Sequence, residues 1–170
     1  MKIINHLKAA SMNPYECKPM PSMFTPNQEK AAAELIRVVR KGGKIGLANW
    51  TPDGFIGQVL KMVGRYLPPP SGIKPPTLWG TASRLAELFP GHEISSSEQM
   101  FTFRYKSPEH WLDVFRSYYG PTNRAFAALD DEKRAALEAD ILDLLERLNW
   151  DRGGSLIVPG AYLEVVITKA

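Results

Sequence analysis

The sequence predicts a single α/β domain, and three observations predict it. Apolar residues recur at a spacing of three to four in some stretches and as short or alternating runs in others, so helices and strands follow one another along the chain. Glycine, proline and helix-capping residues punctuate the changes between them. The 170 residues, 44% hydrophobic and 23% charged, suffice for one substantial core.

The first 22 residues are the exception. Pro14, Pro19 and Pro21 fall there and no period of 2 or 3.6 persists, which predicts an irregular segment ahead of a domain over 23–170. Thr25-Pro26-Asn27-Gln28 reads as a capping box: Thr25 caps, Pro26 takes the first helical position and Gln28 closes back. Ala32, Leu35, Ile36 and Val39 then share a helical face, and Gly42-Gly43 ends that helix. Lys44 to Asn49 follows as a short apolar strand.

Thr51-Pro-Asp-Gly54 is a turn into a helix from about Phe55 to Tyr66. Pro68-Pro-Pro-Ser-Gly-Ile-Lys-Pro-Pro76 excludes helix and interior strand, so it is a loop, a stiff connector or the flank of a site. Thr81 caps a short helix carrying Leu85, Leu88 and Phe89. In 98–105, Phe101, Phe103 and Tyr105 alternate with Thr102 and Arg104, the pattern of a half-buried strand. Ser107-Pro108 opens a helix with Trp111, Phe115 and Tyr118. Asp130 caps the longest helix, striped by Leu137, Ile141, Leu144, Leu145 and Leu148. Two β-like runs close the chain, Leu156–Val158 and Tyr162–Thr168, split by Pro159-Gly160.

Charge is unevenly placed: residues 1–75 hold 11 Lys/Arg against 4 Asp/Glu, and 76–170 hold 10 against 14. The lysines are scattered and form no stripe, which argues against nucleic acid as the partner. One cysteine, Cys17, excludes an intrachain disulfide framework and fits a reducing compartment. No apolar run approaches a membrane span of roughly 18 residues, and the N-terminus lacks a secretory pattern, so no membrane partner is expected and the location read is cytoplasmic. No His/Cys/Asp spacing suits a metal, and no phosphate-cradling glycine loop or nucleophile elbow is present.

The stretch Arg37-Val-Val-Arg-Lys-Gly-Gly-Lys-Ile-Gly-Leu-Ala-Asn-Trp50 resembles the helix, turn and fifth strand of class I S-adenosylmethionine (SAM)-dependent methyltransferases. Met23-Phe-Thr-Pro-Asn-Gln-Glu-Lys30 is similar to the junction after that family's fourth strand. Thr102-Phe-Arg-Tyr-Lys-Ser-Pro-Glu-His-Trp111 and Tyr118-Tyr-Gly-Pro-Thr122 resemble its sixth strand and the helical insert behind it. Leu163-Glu-Val-Val-Ile167 resembles the closing strand, which in that fold lies antiparallel between the fifth and sixth. In order these match the ubiquinone/menaquinone-type subgroup from about Met23 to the C-terminus.

The resemblance implies an incomplete Rossmann-like fold: a back half with three or four strands, flanking helices and a helical insert before the last strand. The family's cofactor loop of glycines lies in its first strand–helix unit, yet the 36 residues before Arg37 contain no glycine. SAM is thus the implied cofactor, and no cofactor-binding residue is assigned in this chain. The catalytic residues stay open. His92 and His110 are available as bases, and His6 falls in the irregular segment.

Strand ends facing a switch point line ligands in such sheets. On that logic the acceptor-lining candidates are Asn49, Trp50, Trp79, Arg104, Tyr118 and Tyr119. Each has a structural alternative. Asn49 can bond the turn at Thr51-Pro52, Trp50 can plug the core, and Trp79 can anchor the proline-rich loop. Arg104 can pair with a surface carboxylate, and the tyrosines can pack on Trp111 and Phe115.

Three functional readings follow. The chain is a truncated small-molecule methyltransferase, inactive alone; or a half-enzyme completed by a partner chain, or by a second copy, through an exposed sheet edge; or a non-catalytic domain binding an apolar small molecule. In each the partner includes a small molecule, and residues 1–22 are expected to be poorly ordered or draped over the sheet edge.

Overall fold

The computed structural model describes residues 22–170. The expectations for residues 1–21, with His6 and Cys17, lie outside the described residues. The remainder is a mixed α/β fold with three strands, flanking helices and a helical insert before the last strand, as the sequence predicts.

The chain enters through a 3-10 turn at Ser22–Phe24, then α1 (Gln28–Val38), β1 (Lys44–Trp50) and α2 (Phe55–Tyr66). A 3-10 turn at Pro76–Gly80 leads to α3 (Ala82–Leu88) and β2 (Glu93–Tyr105). The insert is α4 (Pro108–Tyr118), α5 (Gly120–Ala128) and α6 (Asp131–Leu148), and β3 (Leu156–Thr168) closes the chain. Caps read from sequence hold at Thr81, Ser107 and Asp130, which accept from the backbone N–H of Arg84, His110 and Lys133 at 3.3, 3.2 and 2.9 Å. The cap of α1 is instead Asn27, whose side chain accepts from the Lys30 N–H at 2.7 Å. Thr25 turns back to donate its hydroxyl to the Ser22 carbonyl, because the 3-10 turn before it offers that acceptor.

β3 lies between β1 and β2 and runs antiparallel to both, so β1 and β2 are parallel to each other. β1 pairs over Lys44–Trp50 with Thr168–Tyr162, and among the described residues its outer edge has no partner strand. β3 is one strand, not two. Ile157 and Ala161 turn their backbone carbonyls away from β2, toward Trp150 and Thr51. Pro159 shares their parity, so the N–H that proline lacks was never owed to the β2 ladder. β2 also begins earlier than its sequence suggests. Ser95 to Met100 is exposed on both faces, which erases the alternation, and pairing with β3 alone makes it strand.

Two cores sit on opposite faces of this sheet. Leu156 and Val158 join Phe55, Phe103, Trp111 and Ile141 under α2 and the helical insert. Val165 and Ile167, of the other parity along β3, join Ile45, Leu47, Trp79 and Leu85 under α1 and α3.

Arg84, only 7% exposed, ties the second core together. Its guanidinium donates to Gln28 at 3.0 Å, to Glu29 at 2.6 Å and to Glu87 at 2.7 Å, and Gln28 in turn donates to the Pro75 carbonyl at 3.1 Å. Arg84, with Lys74 beside it, holds the Glu29 carboxyl down to about 2 from its ordinary 4.5. A depressed carboxyl contributes stability that is full above its unfolded value and lost as pH falls through its folded one. Stability therefore declines from about pH 4.5 toward about pH 2. Urea titrations across that range should show Glu29→Gln with a flatter acid limb than the parent; parallel limbs would mean that the pair contributes nothing.

Candidate functional site

At the end of β1 glycines let backbone pack directly on backbone. After Trp50 the strand leaves through Thr51, whose N–H and hydroxyl both donate to the Ala161 carbonyl, at 3.2 and 3.3 Å. Three glycines close on this exit. A Cβ on Gly80 would overlap the Trp50 carbonyl, and one on Gly57 would overlap the carbonyls of Thr51 and Pro52. A Cβ on Gly54 would stand 2.7 Å from the Thr51 hydroxyl and 2.9 Å from the Ala161 carbonyl. Two elements, α2 and the Pro76–Gly80 turn, thereby fix the position of Asn49 and Trp50.

Those two side chains point to opposite faces. Asn49 is buried on the α1/α3 side, where its Nδ2 has no partner among the described residues. Trp50 is half-buried on the other side, its ring 5.6 Å from Phe103, 6.1 Å from Tyr162 and 6.5 Å from Phe101. Gly160 lies beneath this aromatic group, with Phe103 where a Cβ would be. Trp79 is fully buried in the core below Asn49's face, edge-on to Phe89 at 6.1 Å, and its Nε1 is also without a partner.

Tyr119 reaches this region indirectly. It packs on Phe115 at 4.9 Å and meets Phe24 at 6.3 Å, and the turn that carries Phe24 packs on the Pro76–Gly80 turn. Its hydroxyl is enclosed and unpartnered, and burial pushes its pKa well above the ordinary tyrosine value. A hydroxyl so held stays protonated and serves as a donor, not as a base. Thr122, at 0% exposure, adds another orphaned hydroxyl in the first turn of α5.

Tyr118 and Arg104 stand apart. Tyr118 is 85% exposed. Arg104 is exposed five residues along β2 from Gln99, the residue in Trp50's row of the sheet, or about 17 Å away at strand rise. The structure thus gathers Asn49, Trp50 and Trp79 around the exit of β1, links Tyr119 to them through Phe24, and leaves Arg104 and Tyr118 elsewhere. Phe24, Tyr162 and Thr122 were not singled out from sequence. Phe24 sits in the Met23–Lys30 junction, and that was the only signal available for it.

The described surface includes an open hollow of about 390 Å³ beside Arg104 and another of about 330 Å³ between Ile36 and Leu88. Neither is lined by Asn49, Trp50, Trp79, Tyr118 or Tyr119. Among the described residues no group of three or more His, Cys, Asp or Glu could hold a metal, and no helix is long and apolar enough to cross a membrane. His92 accepts from the Ala170 N–H through Nδ1, and His110 likewise from the Lys106 N–H. His92 precedes β2 at the end level with Lys44, the start of β1, and His110 lies in α4 against Tyr105. The exit offers aromatic surface and orphaned donors, the kinds of group that can orient a ligand, and among the described residues no acid–base pair.

No protein-family model matches the chain. It is 36% identical over 128 residues to the uncharacterized protein Rv1403c of Mycobacterium tuberculosis, covering 72% of this chain and 47% of that protein. It is 35% identical over 123 residues to the uncharacterized protein Rv1405c of the same organism, covering 69% and 44%. The chain spans about half the length of the curated relatives it matches. A crystal structure of a candidate methyltransferase from Bacillus halodurans aligns over 87% of this chain and 65% of that one, with a TM-score of 0.47 at 19% identity. At that level the superposition does not by itself assign a fold.

Proposed function

We propose that this chain is the acceptor-side half of a SAM-dependent methyltransferase acting on a small molecule, with the cofactor held by polypeptide outside residues 22–170. The observation that carries this reading is the sheet: a closing strand antiparallel between two parallel strands, with no partner strand on the outer edge of the first among the described residues. A bare edge accepts a further strand, and ligands of such sheets sit beyond the C-terminal ends of the parallel strands. Trp50 lies at that end on one face of the sheet and the orphaned Asn49 amide beside it on the other.

The residues present do not fit the cofactor itself. A SAM cradle needs a glycine turn leading from a strand into a helix, with open backbone on its concave side. Among the described residues the one strand-to-helix turn with a glycine is Thr51–Gly54, and its space is filled by Ala161 and by α2. No transfer step is assigned to this chain alone. Methyl transfer from a sulfonium is an in-line displacement, in which alignment and exclusion of water supply most of the acceleration. This half contributes the acceptor's share of that. Trp50, Phe101 and Tyr162 give an apolar wall, and the protonated Tyr119 hydroxyl, packed against the same core, gives a directional donor; the Asn49 amide faces the other side of the strand.

Calorimetric titration with SAM of this chain and of intact Rv1403c tests the proposal. The relative should bind one SAM per chain and this chain none. Saturable binding by this chain would sink the incomplete-site reading. Absence of binding by the intact relative would sink the methyltransferase reading and favour a domain that only binds an apolar small molecule.

A further inference from the structure

β2 is the other edge of the sheet, and its outer side has no partner strand among the described residues. The strand runs from Glu93 to Tyr105 without proline or lysine, two of the residues that blunt an exposed edge. Which of its backbone groups face outward follows from β3. Ile157 and Ala161 turn their carbonyls toward Trp150 and Thr51, away from β2, so their partners Arg104 and Met100 stand in pairs that exchange no hydrogen bond with β3. By the same alternation Glu98 and Thr102 stand in such pairs too. The N–H and C=O of these four residues therefore point out of the sheet.

The side chains along this edge are complementary to their own reversed order. Glu98 and Arg104 share one face of β2, both are exposed, and Phe101 lies midway between them. Neither charge has an ion-pair partner among the described residues. A second β2 laid antiparallel along the edge, with Phe101 on the twofold axis, sets Glu98 opposite Arg104 twice and Met100 opposite Thr102 twice. Those pairs join the residues whose N–H and C=O point outward, so backbone ladder and charges close in the same register. Other registers lose the match. With Met100 on the axis Arg104 meets Ser96, and with Glu98 on the axis the carboxylate meets its own copy.

We propose that the outer edge of β2 is a self-association surface whose partner is a second copy of this chain, paired antiparallel about Phe101. The paired segment is Ser97 to Tyr105 in each copy, and it joins the two sheets into one. Met100, which is 59% exposed in the single chain, comes to lie beside Thr102 of the second copy and between the two ion pairs. One strand pair is a small interface, so the dimer is weak and concentration-dependent. The edge used is the one opposite β1, and the pairing stands whether or not the methyltransferase reading does.

Sedimentation equilibrium of the full chain and of charge-reversed variants provides the test. Glu98→Arg alone and Arg104→Glu alone should each raise the dimer Kd at least tenfold, since each sets like charges opposite at both ends of the pairing. Mixing the two single variants should restore association, because every pair in the mixed dimer is again opposite in charge. Met100→Pro should abolish the dimer with an unchanged circular dichroism spectrum, because the N–H it removes is not part of the β3 ladder. A dimer that neither reversal weakens, or single variants that fail to recover on mixing, overturns the pairing. So does a chain that stays monomeric at submillimolar concentration. In such a monomer, exchange-protected N–H groups at Glu98 and Met100 would mean that another part of the chain covers the edge.

Discussion

Gly57→Ala lowers the stability of this chain by about 3 kcal/mol, whereas Gly64→Ala, two turns further along the same helix, raises it by about 0.5 to 1 kcal/mol. Helix propensity alone predicts a gain at both positions, because alanine loses less backbone entropy than glycine. Packing reverses the sign at one of them. A Cβ at Gly57 falls on the carbonyls of Thr51 and Pro52, which are backbone atoms that cannot rotate aside, while a Cβ at Gly64 meets nothing within 4 Å. To admit the methyl group, α2 must lift off the β1 exit, and Phe55 and Ile56, both buried, move with it. Urea denaturation followed by circular dichroism measures both variants. A stabilising Gly57→Ala would show that α2 does not rest on the strand exit, and the geometry around Asn49 and Trp50 would fall with it. The consequence for function is direct, since the same contact that makes alanine costly holds the candidate acceptor residues still.

The elements that were legible in the sequence are those whose signals are local. Asp130, Ser107 and Thr81 announce α6, α4 and α3 because a capping side chain and the N–H it accepts are three residues apart. Alternation of Phe101, Phe103 and Tyr105 marks the half of β2 that has a buried face. What escaped depends on partners remote in sequence. Glu93–Ser97 is strand only because Glu164–Thr168 pairs with it, and Pro159 is tolerated only because its side of β3 carries no β1 ladder. α5 entered only through the resemblance of Tyr118–Thr122 to a helical insert, and Gly120 and Pro121 sit in its first turn, where a missing N–H is harmless. The candidate site divides the same way. Strand periodicity already places Asn49 and Trp50 on opposite faces. Nothing local to Tyr118-Tyr119 says that one is solvated and the other enclosed, because that depends on Phe24 arriving from nearly a hundred residues upstream.

Trp79 is the residue at which stability and binding give opposite readouts, and Trp79→Ala should cost about 3–5 kcal/mol. It is fully buried among Leu85, Phe89, Leu47 and Val165, and it lines neither of the two hollows described above. Trp79→Phe should cost only about 1 kcal/mol. Phenylalanine keeps most of the apolar contact, including the edge-on approach to Phe89, and it removes an indole N–H that is buried without a partner. An orphaned donor costs about 1–3 kcal/mol of desolvation, so its loss offsets part of the smaller ring's cavity. Measured together, the two variants distinguish the roles that the sequence left open for this tryptophan. If phenylalanine is mild and alanine severe, Trp79 is a core anchor under Asn49 and holds the turn that seats Gly80 on the strand exit. If phenylalanine is as severe as alanine, the N–H has an acceptor beyond the described residues, and Trp79 then belongs to the binding surface with Asn49, whose Nδ2 on the same face of β1 lacks a partner as well.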